Sequence, residues 1–519
     1  MPILPLEPAD APVLLLDALT VAASRHCQLQ PQRVVRDPAN PVIRKSEPWE
    51  GNGPYTWGTR LLWRADLGRY DLYYVAWDPA DNHYRWGVAC STDGLTWTRP
   101  ELGIEQYAGA TMRNQLTGGP HPDKAVRSVV VDPRPECPAA ERFKAIRFTY
   151  DGEYIAWSAD GYRWHDDPAN PVWQAPSDII HAMWDARIAR FVAYFKLWRV
   201  VGETPDGAGG WMPVTRYFRA FTLHDGPDGT VELRGGEVCL DPGAAATVRT
   251  TALRLRAAGQ AADDGGGGSL RGAWHSHRVI ARAESPDWRH WRHEEIVLAC
   301  DGRDRADANI QYLFVHRHGL YDIGILTIHD ERGHFEQQLA FSHDGRHWSR
   351  PWRGNLLGLG APGSFDSGMV LAFTDPIEHQ SQLLWYYGGF DCRHDAPANA
   401  PWSAAIGRAS MRRDGFAAWQ PCGPEPAELL SQPLRGDWRR LWVNAAADGG
   451  SLVVEVLDPA GQCIATSRPL THDSAADPAC RAAVAWQHCS SHDPAWVQLR
   501  VRFTAAQLYA FGFGHQPPG

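Results

Sequence analysis

The chain has 519 residues, with 24 Trp but only 6 Met, and 49 Gly and 39 Pro, a composition of short strands and many turns rather than of a helical bundle. A net charge of −9 repels phosphate backbones and anionic lipid, which argues against nucleic-acid and membrane partners. No run approaches the roughly 20 apolar residues that cross a bilayer, and a length well above a typical domain of about 150 residues predicts one large domain or two.

In chain order, residues 1–35 read as an N-terminal extension. The apolar patch Val13 to Leu16 is flanked by Asp10 and Asp17 and follows no basic stretch, so it does not read as a secretory signal and the chain is expected in the cytoplasm. Ten cysteines are scattered without any C-x-x-C pair, which predicts reduced thiols rather than a disulfide frame or a zinc site.

From residue 36 to about 420 a repeat runs through the chain. Ser91 to Trp97, Ser158 to Trp164, Ser285 to Trp291 and Ser342 to Trp348 share the pattern S-x-D-[GW]-x-x-W, and Arg412 to Trp419 is a looser fifth copy. Each follows an alternating strand, and Asp-Gly supplies the left-handed geometry of a tight turn. The turn aspartates Asp93, Asp160, Asp287, Asp344 and Asp414 lie 67, 127, 57 and 70 residues apart, so the long second interval predicts an insertion, marked by its polar glycine runs Gly207 to Gly210 and Asp263 to Gly268. Units of roughly 60 residues with three or four strands are what propeller blades look like, and five of them predict a five-bladed β-propeller. Beyond the Pro-rich stretch Pro421 to Pro426, alternating segments such as Ser451 to Asp458 and Val497 to Phe503 predict a β-sandwich over 421–519, read as an accessory domain. The expected fold is thus all-β, a propeller followed by a sandwich.

In a propeller the innermost strands converge on a central channel. A carboxylate stands before or at the inner strand of each unit: Glu50, Asp123, Asp178, Asp307 and Asp366. Carboxylates and aromatics around a funnel suit a sugar, whose C–H face stacks on rings and whose hydroxyls bind acids. Two carboxylates can also split a glycosidic bond, one as proton donor and one as base or nucleophile. Glu50, Asp178, Asp307 and Asp366 are the candidate catalytic acids. Trp49, Asp123, Arg127, Asp185, Lys196, Gln311, Tyr312, Glu336 and Tyr387 are the candidate substrate contacts.

These residues carry a resemblance. Pro48 to Glu50, Ser91 to Pro100, Arg142 to Ala145, Trp184-Asp185, Gly363 to Met369, Tyr386 to Phe390, Arg413 to Phe416 and Leu441 to Asn444 resemble bacterial proteins with a glycoside hydrolase family 32/43-like five-bladed propeller and a C-terminal β-sandwich. The resemblance implies glycosidase ancestry. In those families the nucleophile or base lies on blade one, a stabilising Asp on blade two and a Glu acid on blade three. Glu50 matches the first by blade, Asp123 stands nearest the second, and Asp178 rather than Glu stands at the third. Asp307, Asp366 and Glu336 are the other sources of an acid.

The expected function is hydrolysis of a glycosidic bond in a small glycan or glycoside. The alternatives are a non-catalytic carbohydrate-binding propeller and a polysaccharide or glycoside lyase, the latter served by His181, His275 and His277 or a Lys/Arg pair. No metal or cofactor is required by this reading, although a calcium ion held by channel carboxylates is compatible with it, as is a homo-oligomer.

Overall fold

The computed structural model describes residues 5–8, 11–58, 60–116, 125–149, 152–173, 177–205, 208, 211–225, 231–238, 275–305, 307–330, 333–394, 396 and 400–514. It is an all-β chain with a five-bladed propeller and a β-sandwich. From the axis outwards, blade one is built on Pro54–Tyr55 with Leu61–Arg64, then Arg69–Asp78 and His83–Ser91. Blade two is Ala125–Val131, Phe143–Thr149, Gly152–Ser158 and His165–Asp166. Blade three is Ile180–Asp185, Arg190–Pro205, His275–Ser285 and Arg292–Leu298. Blade four is Asn309–His318, Tyr321–His329, Phe335–Ser342 and Trp348–Ser349. Blade five is Met369–Phe373, Gln382–Phe390, Ala404–Arg412 and, from the other end of the chain, Val35–Arg36. The N-terminal segment thereby supplies the outer strand of the last blade. Blade five packs in turn on Pro54–Tyr55 and completes the ring.

The second strands lie between neighbouring blades and are covered on both faces, which is why they are continuous apolar runs. Tyr321–His329 is buried at every position, and Leu72 to Ala76 has no exposed residue. The turn motif is a local hydrogen-bonded unit that also joins blades. In each of the first four copies the Asp Oδ1 accepts from the backbone two and three residues on, for example Asp93 from Leu95 and Thr96 at 2.8 Å. Those bonds, with His290 and His347 on two of the carboxylates, hold Asp93, Asp287 and Asp344 below the usual carboxylate range.

A tyrosine of the preceding blade then donates to the turn glycine's carbonyl: Tyr73 to Gly161 at 3.2 Å, Tyr194 to Gly345 at 3.1 Å, and Tyr386 to Gly94 across the ring closure. Where the motif carries Trp288 in place of glycine, its indole N–H reaches back to the Ala145 carbonyl at 3.4 Å.

The long interval is an insertion as far as it is described. Arg190–Pro205 runs past its blade, and its far half pairs with Trp211–Asp225, which pairs with Val231–Val238, extending blade three instead of forming a sixth. The stretch 239–274, with the second glycine run, lies outside the described residues.

Residues 13–31 are not an appendage. Val13–Leu14, Val21–Arg25 and Cys27–Pro31 are strands of the sandwich, pairing respectively with Gln507–Phe513, Ala427–Ser431 and Ala417–Pro421. The last of these, expected to end the propeller, also belongs to the sandwich sheets. The sandwich has its own core around Leu441, Val454, Val501 and Phe511, and is fixed to the propeller by Arg412, which bonds Asn444 and Asp473, both at 2.7 Å. The nine described cysteines are free, and among the described residues no helix is long and apolar enough to cross a membrane.

Candidate active site

The inner strands are not regular. Blade two carries an extra residue at Arg127 between the paired Val126 and Ser128, blade four at Gln311 and blade five at Ala372. Such bulges re-aim a side chain at the end of a strand. Blade one departs further: between Tyr55 and Leu61 the chain leaves its partner strand, and Gly58, at φ +76°, lies against the Arg127 and Ile180 carbonyls of blades two and three. A Cβ on Gly58 would stand 2.0 Å from the Arg127 oxygen, so no larger residue brings this excursion across the axis.

Deeper along the axis Arg60 donates to both Asp375 oxygens at 2.6 and 2.7 Å and to the Ala182 carbonyl at 2.8 Å. His181 Nε2 lies 2.8 Å from the Val315 carbonyl. Burial holds His181 well below the usual imidazole range, with the Arg60 charge adding to the effect. Together these groups floor the channel.

Above that floor lies a cluster of charge. Asp178, before the inner strand of blade three, keeps 34% of its side chain exposed, and its Oδ1 is 2.7 Å from the Lys196 ammonium. Burial pushes the Asp178 carboxyl up, but Lys196, Arg127 and Arg278 together hold it below the usual range. Lys196 and Arg278 stand beside Trp198, 5.3 and 4.6 Å from its ring, and Arg127 stacks on Trp57 at 3.9 Å. Arg278 also donates to His329 Nδ1 at 2.7 Å. Burial and that cation push the His329 imidazole down to about 2, so it accepts as a neutral ring.

Next to Asp178 in the chain, Ser177 gives its backbone N–H at 2.6 Å to Glu153, which is 1% exposed. Burial pushes its carboxyl up to about 8, against Ser177, Arg127 and Arg219, with the Asp178 charge adding to the rise. Its second oxygen has no hydrogen-bond partner. Glu153 is therefore protonated at neutral pH while Asp178 is ionised.

Other expected residues have different roles. Glu50 is fully buried in a short turn, Pro48–Glu50, away from the channel. Its oxygens take Tyr74 Oη at 2.6 Å, Arg99 at 2.7 Å and the Ser46 and Glu47 backbone N–H groups at 2.7 and 3.0 Å, leaving no lone pair for a substrate. Trp49 stacks on Tyr74 at 5.6 Å in the core between blades one and five, against Gly87, where a Cβ would meet its ring at 2.6 Å. Asp366 is buried under Arg36 at 2.7 Å and Tyr387 Oη at 2.9 Å, so acid and tyrosine satisfy one another between strands of blade five.

Asp185 ends its strand at the opposite face, bonded to Arg187 at 2.7 and 2.9 Å. Asp307 is forked by Arg305 at 3.0 and 3.2 Å. Glu336 is half-buried on the third strand of blade four, opposite Ile328. Asp123 lies outside the described residues.

Of the expected set, the structure gathers Asp178, Lys196, Arg127, Gln311 and Tyr312 at the channel. The Gln311 Oε1 and Tyr312 Oη atoms are buried there without hydrogen-bond partners. Sequence reasoning missed Glu153 and Arg278. Glu153 shares its strand face with Ile155 and Trp157, and an acid on an apolar face was the available signal. Among the described residues of this mouth the partly exposed carboxylate, Asp178, is held by an ammonium with two arginines beside it, whereas a calcium ion needs several oxygen donors. Among the described residues no group of three or more His, Cys, Asp or Glu could hold a metal ion.

No protein-family model matches the chain, and no curated protein matches it. Solved structures similar to it include a thermostable family-43 glycoside hydrolase, at 12% identity and TM-score 0.39, covering 73% of this chain and 94% of that one. The Bombyx mori GH32 beta-fructofuranosidase BmSUC1 is 10% identical at TM-score 0.35, over 92% of this chain and 94% of that one. Fructan 1-exohydrolase IIa from Cichorium intybus, in complex with 1-kestose, is 9% identical at TM-score 0.35, over 93% and 98%. Overlaps of this size carry no residue correspondence, so the chemistry rests on this chain's own geometry.

Proposed function

We propose that the chain is a glycoside hydrolase whose site is the channel mouth between blades two and three, with Glu153 as the proton donor and Asp178 as the ionised carboxylate. The observation that carries this reading is one pair of neighbouring acids whose surroundings drive their proton affinities apart, Glu153 up to about 8 and Asp178 below the ordinary range. That division is what the reaction needs: a neutral acid to protonate the leaving oxygen and an anion to activate water or attack the sugar. The unpartnered oxygen of Glu153 is consistent with a hydroxyl awaiting an acceptor.

The test is turnover of a panel of aryl glycosides, pyranosides and furanosides, by the full chain. Glu153→Gln and Asp178→Asn should each lower kcat by roughly 10²–10⁴ in a folded protein, and unchanged turnover in both variants would sink the assignment. A second reading, a carbohydrate-binding propeller without catalysis, is favoured by the near-complete burial of Glu153. It predicts saturable sugar binding with no turnover across the same panel.

A further inference from the structure

The charge balance of the mouth points to a particular class of sugar, an inference that rests on reading the mouth as the carbohydrate site. Arg127, Lys196 and Arg278 all act on Asp178, the carboxylate exposed there, and Glu153 beside them is neutral at pH 7. Among the described residues three cations thus face one anion, packed against Trp57, Trp198, Tyr84 and Phe148. A neutral sugar needs none of that positive excess, and holding three cations together in a poorly solvated pocket costs stability. The excess is therefore a candidate for function.

Arg127 supplies the second observation. It is the bulged residue of its inner strand, is 1% exposed, and its Nε and Nη1 groups are buried without a hydrogen-bond partner. Stacking on Trp57 at 3.9 Å fixes the plane of the guanidinium and leaves those N–H groups unmade. A buried donor left unsatisfied is costly, and a planar guanidinium suits an oxyanion, which accepts two parallel N–H bonds. Lys196 and Arg278 add point charge from the adjoining strands, where Trp198 lies opposite Arg278.

We propose that the sugar taken at this mouth carries an anionic group, a uronate carboxylate or a sulfate ester, bound by Arg127 together with Lys196 and Arg278. Fixed cations in a recess attract such a ligand and make its binding salt-dependent.

Calorimetric titration of the full chain with glucuronate, glucose 6-sulfate and glucose, and with galacturonate and galactose, tests this. At least one anionic sugar should bind tenfold or more tighter than its neutral counterpart, and the difference should shrink as salt is raised. The tighter of glucuronate and glucose 6-sulfate identifies the anion. Arg127→Gln and Lys196→Met should each remove most of that preference. If one variant fails to fold, the other and the salt dependence of the parent protein still decide.

Equal affinity for charged and neutral sugars, a preference indifferent to salt, or no binding by any anionic member at millimolar concentration overturns the proposal. Parallel assays with aryl uronides and aryl hexosides separate it from the hydrolase reading. Uronate binding without cleavage removes hydrolysis and keeps the anion site. Cleavage of neutral glycosides without anion binding does the reverse.

Discussion

The two ends of the propeller use the same residue types to opposite ends. At the turn-motif face acids of the inner and second strands are held by basic side chains: Asp71 takes Arg64, Arg69 and Tyr162, Asp132 takes Arg134 and Lys144, and Asp185 takes Arg187. The same arginines reach the next blade, Arg64 to the Asp160 carbonyl, Arg134 to that of Pro286 and Arg187 to that of His343. At the channel mouth Glu153, Gln311, Tyr312 and Arg127 each keep a buried polar atom without a hydrogen-bond partner. The first set joins neighbouring blades, and the second leaves costly unmade bonds that a ligand at the mouth would complete.

The contrast can be broken most sharply by comparing substitutions at the two ends. Asp178→Asn at the mouth is expected to lower kcat by roughly 10²–10⁴ in a protein that still folds, with a lowered melting temperature because Lys196 is left without its anion. Asp71→Asn at the other face should lower stability alone, since it removes charge from a fully buried acid with two arginines and a tyrosine on it, at a cost of about 3 kcal/mol. Thermal unfolding and turnover measured on both variants decide it. Lost activity in a folded Asp71→Asn protein would put the active face at the wrong end.

The pH dependence sharpens the same point at one residue. Glu153 has an ordinary value of 4.5 and is pushed up to about 8 in the fold, so the folded state binds more protons than the unfolded chain between those limits. Stability associated with this group is complete below about pH 4.5 and is lost as pH rises towards 8, at up to roughly 1 kcal/mol per pH unit. Glu153→Gln cannot ionise, so its advantage in melting temperature over the parent should grow between pH 5 and about 8 and then level off. Activity in the hydrolase reading should fall over the same alkaline range as the proton donor is lost. A stability difference that does not vary with pH would mean that Glu153 is ionised throughout.

The blades were legible in the sequence because their signal is local. Each S-x-D-[GW]-x-x-W unit closes its own hydrogen bonds within seven residues, so the pattern survives without knowledge of the rest of the fold. The acids were not legible in the same way, because ordinal position before an inner strand says nothing about partners distant in the chain. Glu50 is neutralised by Arg99 and Asp366 by Arg36, and neither arginine lies near its acid in sequence. The excursion at Gly58 also removes the regular strand on which the position of Glu50 was counted. Asp178 stands where it was counted because the strand that follows it, Ile180–Asp185, begins as expected. Glu153 was readable only by asking which acid breaks the apolar face of its strand, a question about burial and not about spacing.

The smallest expected effect concerns the turn aspartates that revealed the repeat. Asp93 is exposed, and its Oδ1 accepts from the backbone N–H groups of Leu95 and Thr96 and from the Ser91 hydroxyl, as a capping side chain does. Asp93→Asn keeps an oxygen in the same place but gives up the charge that strengthens those bonds, whereas Asp93→Ala gives up the acceptor itself. The alanine variant should lose about 1 kcal/mol and the asparagine variant less, by analogy with helix caps. Because the charged form is the one bonded and its proton affinity is lowered in the fold, this stabilisation is present above the ordinary carboxylate range and is lost on acidification below it. The gap between parent and alanine variant should therefore narrow as pH falls below about 4, with turnover unchanged wherever both proteins are folded. An alanine variant that loses turnover at full fold would mean that the repeat's turn does more than hold a blade.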